Sequence, residues 1–325
     1  GEEDWQGGMW GSFSLPDTEI TDANIEAASD ADTAVYVIAR NSGEGADRKN
    51  EKGDYQLTDI EYANLQKLGA NFENVVVVLN VGGIVDTKFF HEIVGLDSLL
   101  LMSQAGMEGG NALADVISGK VTPSGKLTDT WAVDYEDYPS SDTFSSNDGN
   151  TDTETYTDDI YVGYRYFDSF GVEPAYEFGF GLSYTTFDTE INYVQADEQT
   201  VTVNATITNT GDTYSGKEVL EVYFSAPGGK VEKPYQELAG YAKTDELAPG
   251  AQQTLTVSFP VTEMSSYDED QAAYILERGL YTIQAGNSSR NTVVGGVLNV
   301  NKTVITEQLS HQLALPDDVE LEPIS

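Results

Sequence analysis

The sequence predicts an α/β sandwich, a mostly parallel sheet flanked by helices, followed by an all-β sandwich. Three observations carry that expectation. The runs TAVYVIA (33–39) and NVVVVLNV (74–81) are apolar without alternation, as strands of a parallel sheet are when both faces are covered. Amphipathic stretches lie between the runs with short connections, the pattern of strand–helix–strand units. From about residue 190 the apolar period changes to two, and Gly, Pro, Asn and Asp clusters separate the runs, as in a sandwich of short antiparallel strands.

Each element follows from local chemistry. The opening stretch EEDWQGGMWGSF is Gly-rich and holds Trp5 and Trp10. After the first strand comes RNSGEGADR, and then LTDIEYANLQKLGA reads as a helix. Thr58 can cap it, Glu61 three residues on completes a capping box, and Gly69 can end it. LLLM (99–102) is a third, shorter strand, and EGGNALADVISGK is a second helix that Gly119 stops. Past Pro123-Ser124-Gly125 the composition turns polar, and 134–159 reads as a solvated acidic loop. It lacks the D-x-D-x-D-G spacing and distal Glu of a calcium loop. The runs TVTVNATITNTGD, GKEVLEVYFSAP, QQTLTVSFPV and GLYTIQAG supply the second sandwich. The expected organisation is therefore one domain over 1–185, a second over 186–302, and a tail or linker over 303–325.

Composition narrows the function classes. With 55 acidic against 16 basic residues the net charge is -39, which argues against nucleic acid and anionic membrane surfaces and leaves neutral ligands such as sugars open. No 18-residue apolar run is present, so no membrane-spanning segment is expected. The chain starts at Gly1 without a charged-then-apolar leader; either a targeting segment has been removed or the chain begins part-way through a longer product. The absence of cysteine excludes disulfides, thiolate metal sites and thiol catalysis, and is compatible with either redox compartment. Three Asn-x-Ser/Thr sequons would matter only in a eukaryotic secretory route, so localisation stays open.

The two histidines, His91 and His311, limit acid–base chemistry, and no G-x-S-x-G elbow accompanies them. His91, in KFFHEIV, reads as a helix residue. Neither G-x-G-x-x-G nor a phosphate-binding P-loop occurs. The carboxylates remain. Glu44 lies between two glycines just past the C-terminal end of a parallel strand, the edge where open α/β sheets bind ligands. Flanking glycines allow a tight turn and close approach to a ligand. On local evidence this loop has two readings, a solvated turn and a carboxyl presented for chemistry. Trp5 and Trp10 likewise fit either stacking on a sugar face or burial.

Five motifs in order and spacing bear on that choice: RNSGEGADR, LNVGGIVD, AGMEGGNALADVISGKVTPSGKLTDTW, DDIYVGYRYFD and YEFGFGLSYTTFD. Together they resemble glycoside hydrolase family 3, and VNATITNTGDTYSGKEVLEVYFSAP with KPYQELAGYAKTDELAPG resembles its fibronectin type III-like domain. The likeness covers roughly residues 10–300. It implies an α/β sandwich followed by a fibronectin type III-like sandwich, without the (β/α)8 barrel that accompanies them. It further implies a retaining, exo-acting β-glycosidase, a β-glucosidase first, acting on terminal non-reducing β-D-glucosyl residues of a β-linked oligosaccharide or glycoside. Glu44 takes the general acid/base role, while an Asp nucleophile sits on a barrel supplied by another chain or segment. Arg40, Asn41, Ser42, Asp47 and Arg48 match the frame of the Glu44 loop, where ion pairs are expected to hold it. No cofactor and no metal are implied. A β-xylosidase or arabinosidase of the same family, and a non-catalytic carbohydrate-binding or scaffold fragment, are the alternatives. The acidic tail after 303 would suit a linker to a barrel that follows.

Overall fold

A computed structural model describes residues 17–40, 47–145, 147–150 and 152–312, which form two compact units. The first unit runs to Ser118 and includes Val133–Tyr135; the second holds Gly119–Ala132 and Glu136 onward.

In the first unit, helix α1 (Asp22–Ala27) precedes strand β1 (Thr33–Arg40), helix α2 (Asp59–Asn71), strand β2 (Asn74–Val81), helix α3 (Lys88–Glu92), strand β3 (Ser98–Leu101) and helix α4 (Gly109–Ile117). The strands pair in parallel in the order β1-β2-β3, with Val37 opposite Val78 and Val78 opposite Leu100. Helix α2 lies against β1 and β2. Ile38, Val75, Val77 and Leu79 of the sheet are buried, as are Leu65 and Leu68 of α2. Asn64 ties the chain ahead of α1 to α2, accepting from the Ile20 amide at 2.7 Å and donating to the Thr18 carbonyl at 2.9 Å.

Two expectations change here. In this three-stranded sheet β2 is the central strand, and it is buried along most of its length. At the edge, β1 alternates instead, leaving Val35 and Val37 46 and 48% exposed. Gly69 does not end α2, which continues to Asn71. Its glycine has a different cause: a Cβ there would overlap the Val94 carbonyl oxygen, and Gly95 faces it at φ +90. Gly119, by contrast, follows the α4 cap at φ +73, the left-handed conformation that stops a helix. His91 is an exposed residue of α3.

The second unit begins with a small antiparallel pair, strand β4 (Trp131–Ala132) and strand β5 (Pro174–Tyr176), separated by helix α5 (Tyr164–Phe170). Strands β6 (Phe187–Ala196), β7 (Thr200–Asn209), β8 (Val219–Ser225), β9 (Glu237–Lys243) and β10 (Gln252–Pro260) follow. After them come β11 (Ser266–Asp268), β12 (Ala273–Leu276), β13 (Gly279–Ser288), β14 (Asn291–Val300) and β15 (Val304–Gln308). Sheets β10-β7-β6 and β14-β13-β8-β9 enclose one core. Its inward positions repeat every second residue: Val201, Val203, Ala205 and Ile207 on β7, with Tyr281, Ile283 and Ala285 on β13. Residues 304–308, placed above in a tail or linker, pair with β12 as β15; the short VITEQ run carries too little alternation to be read as a strand.

A buried polar network joins α5 and the β5 region to β8, β9 and β13. Gln236 donates to Asp168 at 2.9 Å and to the Ser289 carbonyl at 2.7 Å, and Gln284 donates to Gln236 at 2.5 Å. Arg290 donates to Asp168 at 3.0 Å. Nearby, the Tyr223 hydroxyl donates to Glu221 at 2.6 Å, and the Leu238 amide donates to the Tyr164 hydroxyl at 2.8 Å. Tyr164 and Arg165 thus serve packing: Tyr164 lies against Phe178 and Tyr223, and Arg165 pairs with Glu237 at 3.3 Å.

Two measurements test these assignments. Gly69→Ala should destabilise the chain by about 1–3 kcal/mol in urea or thermal denaturation, since the new methyl overpacks fixed backbone. A helix-interior glycine without that contact would instead gain roughly 0.5–1 kcal/mol on becoming alanine. Burial pushes the Glu221 carboxyl above its usual range, with Glu218 and Glu177 adding to the rise and Tyr223 and Lys126 opposing it. A carboxyl raised in the folded state binds its proton better there, so its ionisation opposes folding at neutral pH. Glu221→Gln should therefore melt above the parent at neutral pH. The gap should close as pH falls through the raised folded pKa toward the ordinary value of about 4.3.

Candidate active site

Because β1, β2 and β3 run in parallel, their C-terminal ends, Arg40, Val81 and Leu101, share one edge of the first unit's sheet. A cavity of about 320 Å³ opens there, lined by Ala39, Arg40, Asn80, Met102, Gln104 and Gly106. Ser103, just past β3, takes φ 54, a left-handed conformation rare for a non-glycine residue and concentrated at functional sites.

Glu44, Asn41 and Ser42 lie outside the described residues, as do Trp5 and Trp10. Arg40, Asp47 and Arg48, which flank 41–46, are described. Arg40 is the last residue of β1 and is buried. It points toward the segment between Asp54 and Glu61, and every N–H of its guanidinium finds an acceptor. Nε donates to the Asp54 carbonyl at 2.8 Å. Nη1 donates to the Ala39 carbonyl and to Glu61 Oε1, each at 2.8 Å. Nη2 donates to the Gln56 carbonyl at 3.2 Å and to Glu61 Oε2 at 2.6 Å. Glu61 has a second duty as the capping-box residue of α2. Its Oε2 accepts the Thr58 amide at 2.9 Å, and its own amide donates to Thr58 Oγ1 at 3.1 Å.

The other stem is fastened to the same segment. Arg48 Nε donates to Asp54 Oδ1, Nη2 donates to the Asp54 carbonyl at 2.9 Å, and the Lys49 amide donates to Asp54 Oδ2 at 2.7 Å. Arg48 Nη1 is buried against Gly83, where a Cβ would come within 3.0 Å of it, and it has no hydrogen-bond partner among the described residues. Asp47 is exposed and forms no ion pair among the described residues; Asp54 is the partner of Arg48 instead.

The ion pairs differ in weight. Arg40 and Glu61 side chains are each 6% exposed, so their attraction acts in a low dielectric and their desolvation is offset by a full set of hydrogen bonds. Removing one partner of such a pair strands the other and costs about 3–5 kcal/mol. The nearby Lys52–Asp59 pair is 60 and 85% exposed and belongs to the class worth less than about 1 kcal/mol. Sequence reasoning found Glu61 as a helix cap and missed it as the partner of Arg40. It missed Asp54 altogether, since acidic residues are plentiful here and only the fold shows which one meets Arg48.

Residues 12–184 match the glycosyl hydrolase family 3 C-terminal domain, and residues 218–289 match a fibronectin type III-like domain. Beta-glucosidase A of Butyrivibrio fibrisolvens is 40% identical over 351 residues, covering 94% of this chain and 41% of that protein. An exo-α-(1→6)-L-arabinopyranosidase of Bifidobacterium breve is 33% identical over 281 residues, covering 85% of this chain and 35% of that protein. The structure of β-glucosidase 3B from Thermotoga neapolitana in complex with glucose superimposes with a TM-score of 0.86 at 40% identity, covering 94% of this chain and 43% of that one. The chain thus spans less than half the length of each of these proteins. The match to the C-terminal domain takes in more than half of the sequence, the fibronectin type III-like match follows it, and the fold agrees: the chain belongs to glycosyl hydrolase family 3.

Proposed function

We propose that the chain is the acid/base-bearing part of a retaining, exo-acting β-glucosidase, with Glu44 as the general acid and base. The observation that supports this most is the place of SGEG in the chain. It lies between Arg40, the last residue of a parallel strand, and Arg48, and hydrogen bonds to residues 54–61 hold both side chains. The names borne by the Butyrivibrio and Thermotoga relatives point to β-glucosides. In the proposed reaction the Glu44 carboxyl gives its proton to the glycosidic oxygen as the C–O bond breaks. An aspartate on a (β/α)8 barrel, on another segment or another chain, attacks the anomeric carbon and forms a glycosyl ester. Water then hydrolyses that ester, passing a proton to the Glu44 carboxylate and restoring the acid. Retention requires the two carboxyl groups to stand about 5–5.5 Å apart.

A second reading keeps the mechanism and changes the sugar. The Bifidobacterium relative is named for an L-arabinopyranoside, so a pentopyranoside is the other substrate to try. Both readings depend on Glu44. With the chain joined to its barrel, Glu44→Gln should lower kcat/KM for an unactivated β-glucoside by about 10²–10⁴-fold, the usual worth of a positioned acid–base group. Azide should restore part of the turnover of an activated aryl glucoside. Unchanged hydrolysis in this variant would overturn the assignment, and sugar binding without turnover in the parent would favour a carbohydrate-binding fragment.

A further inference from the structure

We propose that Glu61 and Asp54 are positioning residues for acid catalysis, acting through Arg40 and Arg48, the described arginines on either side of 41–46. The inference rests on the reading of Glu44 given above, and it adds residues that the loop motif does not contain.

The two stems of 41–46 converge on one short stretch of chain. Arg40 reaches the Asp54 carbonyl, the Gln56 carbonyl and both oxygens of Glu61. Arg48 reaches the Asp54 carboxylate and carbonyl. Asp54 therefore touches both stems, with its carbonyl oxygen accepting from Arg40 at 2.8 Å and from Arg48 at 2.9 Å. Glu61 in turn is fixed by the helix start, because Thr58 and Glu61 satisfy each other's amides. A bidentate pairing of guanidinium with carboxylate sets direction as well as distance. Shifting Glu61 would thus move Arg40, and with it the backbone that enters the loop. General acid catalysis tolerates little of this: misplacement by about 1 Å, even from a change remote from the reacting atoms, can cost on the order of 100-fold in rate.

A positioning role can be told apart from plain loss of folded protein. Protonation of the departing oxygen matters most when the leaving group is a poor one, such as a sugar or alkyl alcohol. It matters least for 2,4-dinitrophenolate, which departs without a proton. We would measure kcat/KM for a series of β-glucosides of falling leaving-group pKa, using the chain together with its barrel. The variants are Glu61→Gln, Asp54→Asn and Glu44→Gln, with Asp59→Asn as the exposed control. Glutamine can still serve the capping box while withdrawing the charge from Arg40. Glu61→Gln and Asp54→Asn should lose about 10- to 100-fold on alkyl glucosides and less than about threefold on the dinitrophenyl glucoside, reproducing in milder form the steepened dependence of Glu44→Gln. Asp59→Asn should leave the dependence unchanged.

An equal loss at every leaving group in Glu61→Gln and Asp54→Asn, alongside a steep dependence in Glu44→Gln, would overturn the positioning role and leave the role of Glu44 standing. A flat dependence in Glu44→Gln would overturn both. Should Glu61→Gln not fold, Asp54→Asn carries the same test, because the Asp54 side chain is about a third exposed and its loss leaves the buried pair in place.

Discussion

The Arg40 guanidinium is taken out of water and finds acceptors for all of its N–H groups where β1 ends. This constraint links levels of structure that otherwise look separate. The last residue of β1 is held by the first turn of α2, and the first turn of α2 is held by its own capping box. Between these fixed points in the sequence lies Glu44, the one residue that the family resemblance assigns to acid/base catalysis.

The second unit follows a different logic. Its sandwich core is apolar and periodic, and it asks for nothing more than alternation. The polar network of Gln236, Gln284, Asp168 and Arg290 adds directional contacts to it, because buried amides and carboxylates need hydrogen-bond partners. That network fastens α5, and with it the motif DDIYVGYRYFD, to the sheet of β8, β9 and β13. Glu221 shows the strain of the arrangement: burial raises its carboxyl in spite of the Tyr223 hydroxyl and Lys126.

The parts of this fold that repeat were the parts legible in the sequence. Strand β2 was readable end to end from its unbroken valines, and the Thr58 capping box from its spacing. The alternation of TVTVNATIT marked β7 and its inward face. What the sequence hid was set by neighbours distant along the chain. Gly69 looked like a helix stop because glycine often is one; its true reason, the approach of Val94 and Gly95, appears only when α2 meets the loop after α3. Strand β1 looked buried on both faces because its composition matches β2, and only the strand order shows it at an edge. The site divided in the same way. Its motif was visible, whereas Asp54 was one acid among 55 and Glu61 only a helix cap until the fold brought them to the arginines.

The proposed function is a division of labour, with the acid/base on this chain and the nucleophile beyond it. Trapping with a 2-deoxy-2-fluoro-β-D-glucosyl fluoride tests it directly, because the inhibitor esterifies the nucleophile and leaves a stable mass tag. Peptide mapping of the trapped enzyme should find the tag on an aspartate outside these 325 residues. A tag on Glu44, or on any other carboxylate of this chain, would overturn that division.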